Sequence, residues 1–332
     1  MSASMPDLHL ERPGSIAAAL AARMQHPDSC FIAGGTDLVV NIRHGLSRPD
    51  RLIDLSGIDE LTRLETDEQG LRIGAGVSIA LLAREPSIAT RYRAVAQAAE
   101  TIAGPGHRAM GTVGGNLCLD TRCIFYNQSE WWRRANGYCL KRRGDVCHVA
   151  PQGQRCHAAF TGDLAPALLV LGAEVEIAGT QGRRRIPLAE LYVEDGRAHL
   201  ALAADELVVA VRLPPGAPPS AYAKVRVRSA IDYPLAGVAV ALGVRARNVE
   251  RLRIALTGTN SRPFALVGTD AMIGRPIDDK ALQEIERLVQ KQAQPMRTTV
   301  ASAHYRRLAA AGLARRLTSA LLAEQQACSA PT

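Results

Sequence analysis

The sequence predicts an α+β protein, a larger domain followed by a smaller one, on three observations. Strand-like and helical runs alternate in the first part of the chain without the strict βα repeat of a doubly wound sheet. Two glycine-rich loops, AGGTDL and GTVGGNL, interrupt those runs. A proline-rich break, PPGAPPS, then separates them from three further strand-like runs and a helical tail.

GSIAAALAARM carries apolar residues at helical spacing behind Ser15, a suitable N-cap, and predicts a short helix. CFIAGGTDLVVNIRHG reads as a short buried strand, a turn at Gly34 and Gly35, and a helix opened by Thr36 or Asp37. RLIDL and LRIGAGV are β-rich, whereas SIALLARE and RYRAVAQAAETIAG are helical. DLAPALLVLGAEVEIAG predicts a helix turning into a strand, and ELVVAVRLP another apolar strand. Pro214, Pro215, Pro218 and Pro219 suit an extended connector, which divides the chain into residues 1–216 and 217–332. YAKVRVR, PLAGVAVALGV and RLRIALTGT then predict a three-stranded sheet, followed by two or more helices.

With 332 residues, 47% hydrophobic and 22% charged, the chain can bury a sizeable core. The amino terminus has no apolar run behind a positive start, and no window reaches the roughly 18 apolar residues needed to span a bilayer. A cytoplasmic protein without membrane contact is expected. The net charge of +8 is strewn along the chain, with concentrations at WWRRANGYCLKRRG and GRRRIP. No helix-turn-helix or RNA-recognition signature accompanies it, so a solvated face or a dock for an acidic protein is expected rather than nucleic-acid binding.

Five of the seven cysteines and both tryptophans lie between Cys118 and His157. In a reducing compartment such clustering points to metal or redox chemistry before disulfides, and the odd total also argues against complete pairing. Spacing leaves zinc and iron-sulfur both open. Zinc modules bring ligands in as close pairs, whereas the last four of these cysteines are separated by fifteen, seven and eight residues; His148 and His157 adjoin two of them. Cys30 reads as a core hydrophobe and Cys328 as an incidental tail thiol.

The glycine loops offer backbone N–H groups and close approach to an anionic cofactor. Neither has the G-x-G-x-x-G spacing of a dinucleotide-binding turn, and GAGVSIA puts Ile79 where the third glycine would stand. Each loop alone could be an ordinary turn; two in one domain could clasp a diphosphate.

AGGTDL and TVGGN, followed by GDLAPALLVLGAEV, LVVAVRLP and YAKVRVRSAIDYPLAGVAVAL, resemble the FAD-binding medium subunits of the molybdenum hydroxylases, which include xanthine dehydrogenase, aldehyde oxidases and carbon monoxide dehydrogenase. The resemblance covers nearly the whole chain in the same motif order. It implies a two-subdomain FAD-binding domain of the vanillyl-alcohol-oxidase (PCMH) type and a small α+β C-terminal domain. It assigns Ala33, Gly34, Gly35, Thr36, Asp37 and Leu38, with Thr112, Val113, Gly114, Gly115 and Asn116, to the FAD diphosphate and its surroundings. It also matches Ile102, Asp163, Val208 and Lys224 to positions at the cofactor, Lys224 near the flavin ring where a cation could stabilise reduced flavin. Without the resemblance, Asp163 would read as a helix N-cap and Lys224 as a strand-end surface lysine.

The sequence departs from the family pattern between Asn116 and Asp163, where more than forty residues replace a short connection. The excess, at about residues 119–159, contains Cys123, Cys139, Cys147 and Cys156; Cys118 falls in the shared loop. A redox host favours iron-sulfur over zinc, and a similar insert is known in one branch of the family, the β subunits of 4-hydroxybenzoyl-CoA reductases, where it carries a 4Fe-4S cluster. The resemblance therefore implies these four cysteines as cluster ligands and an electron-transfer subunit with no catalytic acid, base or nucleophile of its own. It implies a large molybdenum-cofactor subunit and a small 2Fe-2S subunit as partners, a dimer of heterotrimers, and reduced ferredoxin as donor. The alternatives are the flavin subunit of a xanthine-, aldehyde- or carbon-monoxide-type dehydrogenase, or a zinc-binding non-redox protein. The two tryptophans and Tyr138 are expected to form a small apolar core around the cluster, and Arg133, Arg134, Lys141, Arg142 and Arg143 to screen its charge or attract an acidic donor.

Overall fold

The computed structural model describes residues 5–328, with the side chain of Cys328, expected to be a tail thiol, outside the described set. The chain begins with a small parallel sheet. Strands β1 (His9–Glu11), β2 (Cys30–Ile32) and β3 (Arg51–Asp54) lie in the order β1-β3-β2. Parallel neighbours need crossovers, which helices α1 (Ile16–Gln25) and α2 (Leu38–Arg43) supply. Ser15 caps α1 as expected, its Oγ accepting from Ala18 N at 3.1 Å, while Ile16, Ala19 and Leu20 form the buried stripe.

The second subdomain is an antiparallel sheet in the order β4-β5-β8-β6-β7, formed by β4 (Leu64–Asp67), β5 (Gly70–Gly74), β6 (Glu174–Gly179), β7 (Gly182–Pro187) and β8 (Leu207–Leu213). The central β8, LVVAVRL, is covered on both faces, hence its continuous apolar run. The edge strand β7 is the basic GRRRIP stretch. Its arginines pair with Glu60, Glu206, Glu174 and Glu176, so this concentration is a charged sheet edge rather than a free basic face. Helices α3 (Ile79–Arg84), α4 (Pro86–Arg91), α5 (Arg93–Thr101), α6 (Pro105–Met110) and α7 (Val113–Leu117) connect the halves of this sheet, α8 (Glu130–Ala135) lies in the cysteine segment, and α9 (Leu164–Val170) follows it. All seven residues of α9 are buried, as expected of a helix apolar on every side.

The C-terminal part is the expected sheet of three long antiparallel strands, β9 (Ser220–Val225), β10 (Ala236–Arg245) and β11 (Asn248–Thr257), plus the two-residue edge strand β12 (Phe264–Ala265). Strand alternation gives its two faces different jobs. Val238, Val240, Leu242 and Ile254 pack against α10 (Asp279–Gln292) and α11 (Ala303–Cys328), forming a second hydrophobic core. Ala239, Ala241 and Ala255 point the other way and join the main core, their small size letting α9 approach the sheet. No helix among the described residues is long and apolar enough to cross a membrane.

Arg306 anchors the start of α11. It is buried without a carboxylate partner among the described residues and donates to the carbonyls of Leu235 at 2.8 Å, Met296 and Gly258; burial pushes its pKa down to about 10. Arg306→Met leaves those carbonyls without their donor, and a loss of about 1–3 kcal/mol is expected in a denaturant unfolding curve.

Candidate functional site

The two glycine loops meet at one wall of a cleft of about 850 Å³. The first is the β2–α2 turn. Gly35 has φ +69°, and a Cβ on Gly34 would stand 1.7 Å from the carbonyl oxygen of Met110, so this contact with the neighbouring loop admits glycine alone. The second loop is held by backbone bonds to the turn between β5 and α3: Gly114 N to Ala75 O at 2.7 Å, Val113 N to Val77 O at 3.0 Å, and Ile79 N to Gly111 O at 2.9 Å. Thr112 Oγ1 caps α7 by accepting from Gly115 N at 3.1 Å.

Ala33 to Leu38, Ile102, Thr112, Gly115, Asn116 and Asp163 all line the cleft. Val113 and Gly114 lie buried behind it, and Val208 sits within β8, facing the core. Asn116 links the second loop to α9, its Oδ1 accepting from Leu164 N at 3.1 Å. Asp163 stands at the N-cap position of α9 but makes no capping bond. Its carboxylate instead accepts from Tyr222 Oη at 2.5 Å and Lys224 Nζ at 3.0 Å. Tyr222 and Lys224 project from the same face of β9, two residues apart. Lys224, with its side chain 1% exposed, is thus no surface lysine: it lies behind Asp163 and also donates to Asp232 O at 3.2 Å. Burial raises the Asp163 pKa and lowers that of Lys224, and each charge opposes the shift of the other.

Sequence reasoning did not single out Thr161, Arg122, Tyr126, Asp120 or the Ile231–Tyr233 loop, all of which line the cleft. Thr161 Oγ1 and Arg122 Nε are buried without hydrogen-bond partners. Two unsatisfied polar atoms, two apposed glycine loops and a buried carboxylate fit a large polar cofactor such as FAD. A short loop residue such as Thr161 carries no sequence signal that separates it from an ordinary turn.

The cysteine segment is a closed excursion. Arg122 and Ala159 exchange both backbone hydrogen bonds at 2.8 Å, joining its two ends. Arg122 also forms an ion pair with Asp37 in the first loop, and Arg142 donates to the carbonyls of Gly45 at 3.0 Å and Leu46 at 3.1 Å, just beyond the C-terminus of α2. The segment therefore grips α2 at both ends. Inside it, Arg133, 1% exposed, donates to the carbonyls of Tyr126 and Gln128 and to Glu130 Oε2 at 2.7 Å. Trp132 and His148 pack against Phe125, with ring centroids 6.3 and 5.3 Å away.

This corrects two expectations. Trp131 is 69% exposed and belongs to no apolar core, and the phenol of Tyr138 bonds to Glu130 Oε1 at 3.0 Å. Of the five basic residues expected to screen the cluster's charge or attract an acidic donor, Arg133 and Lys141 have buried side chains and Arg142 is spent on carbonyls, so only Arg134 and Arg143 are exposed to attract a donor.

Cys139, Cys147 and Cys156 are buried and Cys123 partly so; none is in a disulfide. The thiol of Cys123 is close enough to Cys139 and Cys147, and that of Cys156 to Cys147 and Cys123, for their charges to interact. Burial pushes the Cys156 thiol up to about 11, and Ala158 N donates to its sulfur at 3.4 Å. No group of three or more His, Cys, Asp or Glu among the described residues converges on a single metal ion. In a cubane each thiolate binds a different iron, so its four ligands stand farther apart than four ligands of one zinc ion. The four thiols are free, mostly buried and near enough for pairwise charge interaction. Cys118 lies outside this group on the cleft wall, its thiol pushed up to about 12 by burial.

Residues 6–216 match the FAD-binding domain found in molybdopterin dehydrogenases, and residues 220–321 the C-terminal domain of carbon monoxide dehydrogenase flavoproteins. The chain is 33% identical over 276 residues to the aldehyde oxidoreductase FAD-binding subunit PaoB of Escherichia coli, spanning 80% of this chain and 85% of that protein. It is 26% identical over 311 residues to the carbon monoxide dehydrogenase medium chain of Afipia carboxidovorans, spanning 92% and 93%. Among solved structures, a chain of the Cu,Mo-CO dehydrogenase in its cyanide-inactivated form is similar with a TM-score of 0.78 at 25% identity, covering 96% of this chain and 99% of that one.

Lys224→Met strands the buried carboxylate of Asp163 and is expected to cost about 3–5 kcal/mol. Tyr222→Phe removes one hydrogen bond to the same charge and should cost about 1.5–3 kcal/mol. Urea unfolding of the two variants checks this order, and flavin content per chain should fall further in Lys224→Met.

Proposed function

The chain belongs to the FAD-binding subunits of the molybdopterin dehydrogenases, the medium subunits of the molybdenum hydroxylases, and we propose that it is an electron-transfer subunit carrying a 4Fe-4S cluster as well as FAD. The observation that carries the cluster is the gathering of Cys123, Cys139, Cys147 and Cys156 in a segment closed at its base beside the flavin cleft. FAD, when bound, supplies one- and two-electron redox chemistry. The chain's own part is to hold and to tune. Ala33 to Leu38 would embrace the diphosphate with backbone N–H groups, Thr112 to Asn116, whose N–H groups from Val113 onward are bonded within the protein, would form the facing wall, and Ile102 would give the cleft an apolar surface. Asp163 would receive the cofactor's hydroxyl groups, held in place by Tyr222 and Lys224. The four cysteines would hold the cluster, and their burial limits water at the thiolates.

Substrate chemistry would belong to a large subunit with the molybdenum cofactor, reached through a small subunit with 2Fe-2S clusters. The relatives named above favour an aldehyde- or carbon-monoxide-type enzyme, in which electrons would leave the molybdenum site for an acceptor. A second reading rests on the insert: a 4-hydroxybenzoyl-CoA reductase, with reduced ferredoxin as donor and removal of the phenolic hydroxyl to give benzoyl-CoA. A reducing, cytoplasmic setting would keep the free thiols reduced.

Protein purified without oxygen should contain FAD and about four iron and four sulfide per chain. Cys139→Ser should lose the iron and sulfide and keep the FAD; full iron content in that variant refutes the ligand assignment, and one zinc per chain without flavin refutes the whole reading. Assays of the purified complex with aldehydes and an electron acceptor, and with 4-hydroxybenzoyl-CoA and reduced ferredoxin, separate the two directions of electron flow.

A further inference from the structure

We propose that Lys141 tunes both redox sites of this chain, as a fixed positive charge in the wall between the flavin cleft and the four cysteines. The inference rests on the reading of that cleft and those cysteines given above.

The wall is built from few residues. Asp120 and Tyr126 line the cleft directly. Behind them lies Lys141, its side chain 7% exposed, with Nζ 2.6 Å from Asp120 Oδ1 and 4.5 Å from the centroid of the Tyr126 ring. The ammonium also donates to Thr121 O at 3.1 Å and to Thr121 Oγ1. Its three N–H groups therefore have three acceptors, which locks the charge in place. On the far side, Lys141 follows Cys139 by two residues in a tight turn closed by Arg142 N to Cys139 O at 2.7 Å.

A lysine that only filled space here would be poorly chosen, because burying an ammonium costs more than burying an apolar chain of similar volume. What the ammonium adds is a field. Reduction of either neighbour adds negative charge, and a nearby cation shielded from water makes that addition more favourable. Asp120 opposes it only in part, since its side chain is 33% exposed and better screened. His199 also lies within reach of Lys141, but burial pushes its pKa down to about 4, so it is neutral at pH 7. Arg122, in the cleft wall, is matched by Asp37. Lys141 is therefore a positioning residue for charge, and it acts on both sites at once because it touches the wall they share.

The test is a spectroelectrochemical titration of the anaerobically purified protein with its co-purifying subunits, reading the flavin by absorbance and the cluster by electron paramagnetic resonance. Lys141→Met should lower both midpoints, each by about a tenfold shift in the one-electron equilibrium, ~59 mV. Lys141→Arg should leave both near the wild-type values, and Asp120→Asn should raise both. Opposite signs in the Lys141→Met and Asp120→Asn variants distinguish tuning from a structural role, because both substitutions break the same ion pair. Unchanged potentials in Lys141→Met, or shifts of the same sign in the two, overturn the proposal. If Lys141→Met does not fold, Asp120→Asn decides alone, and a flavin potential that stays or falls overturns it. A wild type without iron would refute the cluster reading itself, and the flavin potentials would then decide on Lys141 separately.

Discussion

The buried carboxylate of Asp163 is the constraint around which the two parts of the chain are arranged. A carboxylate removed from water must be compensated, and its partners Tyr222 and Lys224 come from the C-terminal sheet. The pair therefore binds the start of α9 to β9 and forces the cleft wall to contain residues from both parts. Around it, α9 is buried on every side, packed on the alanine face of β10 and β11. Asn116 extends the same linkage to the second glycine loop through Leu164 N. The cleft is thus held from behind, so that the first glycine loop can present its backbone N–H groups to the interior.

The cysteine segment is joined to that arrangement as firmly as the loops are joined to each other. Its ends are paired at Arg122 and Ala159, and Arg122 and Arg142 hold α2 at its beginning and just past its end. Since α2 opens at the first glycine loop, the same helix borders the cleft and the cysteine segment. Most of the segment's positive charge is consumed in this way. What looks in the sequence like a basic surface is largely internal wiring, with arginines satisfying carbonyls that a long irregular loop would otherwise leave unpaired.

Much of the architecture was legible in the sequence because it depends on local rules. Ser15 before an apolar helical stripe, the apolar run of β8 and the Gly34–Gly35 turn each report a preference of a few neighbouring residues, and each element formed where those preferences placed it. Strand β1 and edge strand β7 were not legible, since one has three residues and the other carries arginines along its exposed length. Asp163 and Lys224 show the limit most plainly. Local spacing made one a helix cap and the other a surface lysine, and only their meeting across sixty-one positions of the chain made them an ion pair.

By itself the sequence determined the fold class, the two glycine loops and the presence of an insert with four further cysteines, because motif order and composition survive without coordinates. Tertiary structure alone decided that Trp131 lies outside, that Arg133 and Lys141 lie inside, and that Lys141 stands between the cleft and the thiols. Burial and charge pairing are properties of neighbours brought together by the whole chain, and no local pattern encodes which neighbours those will be.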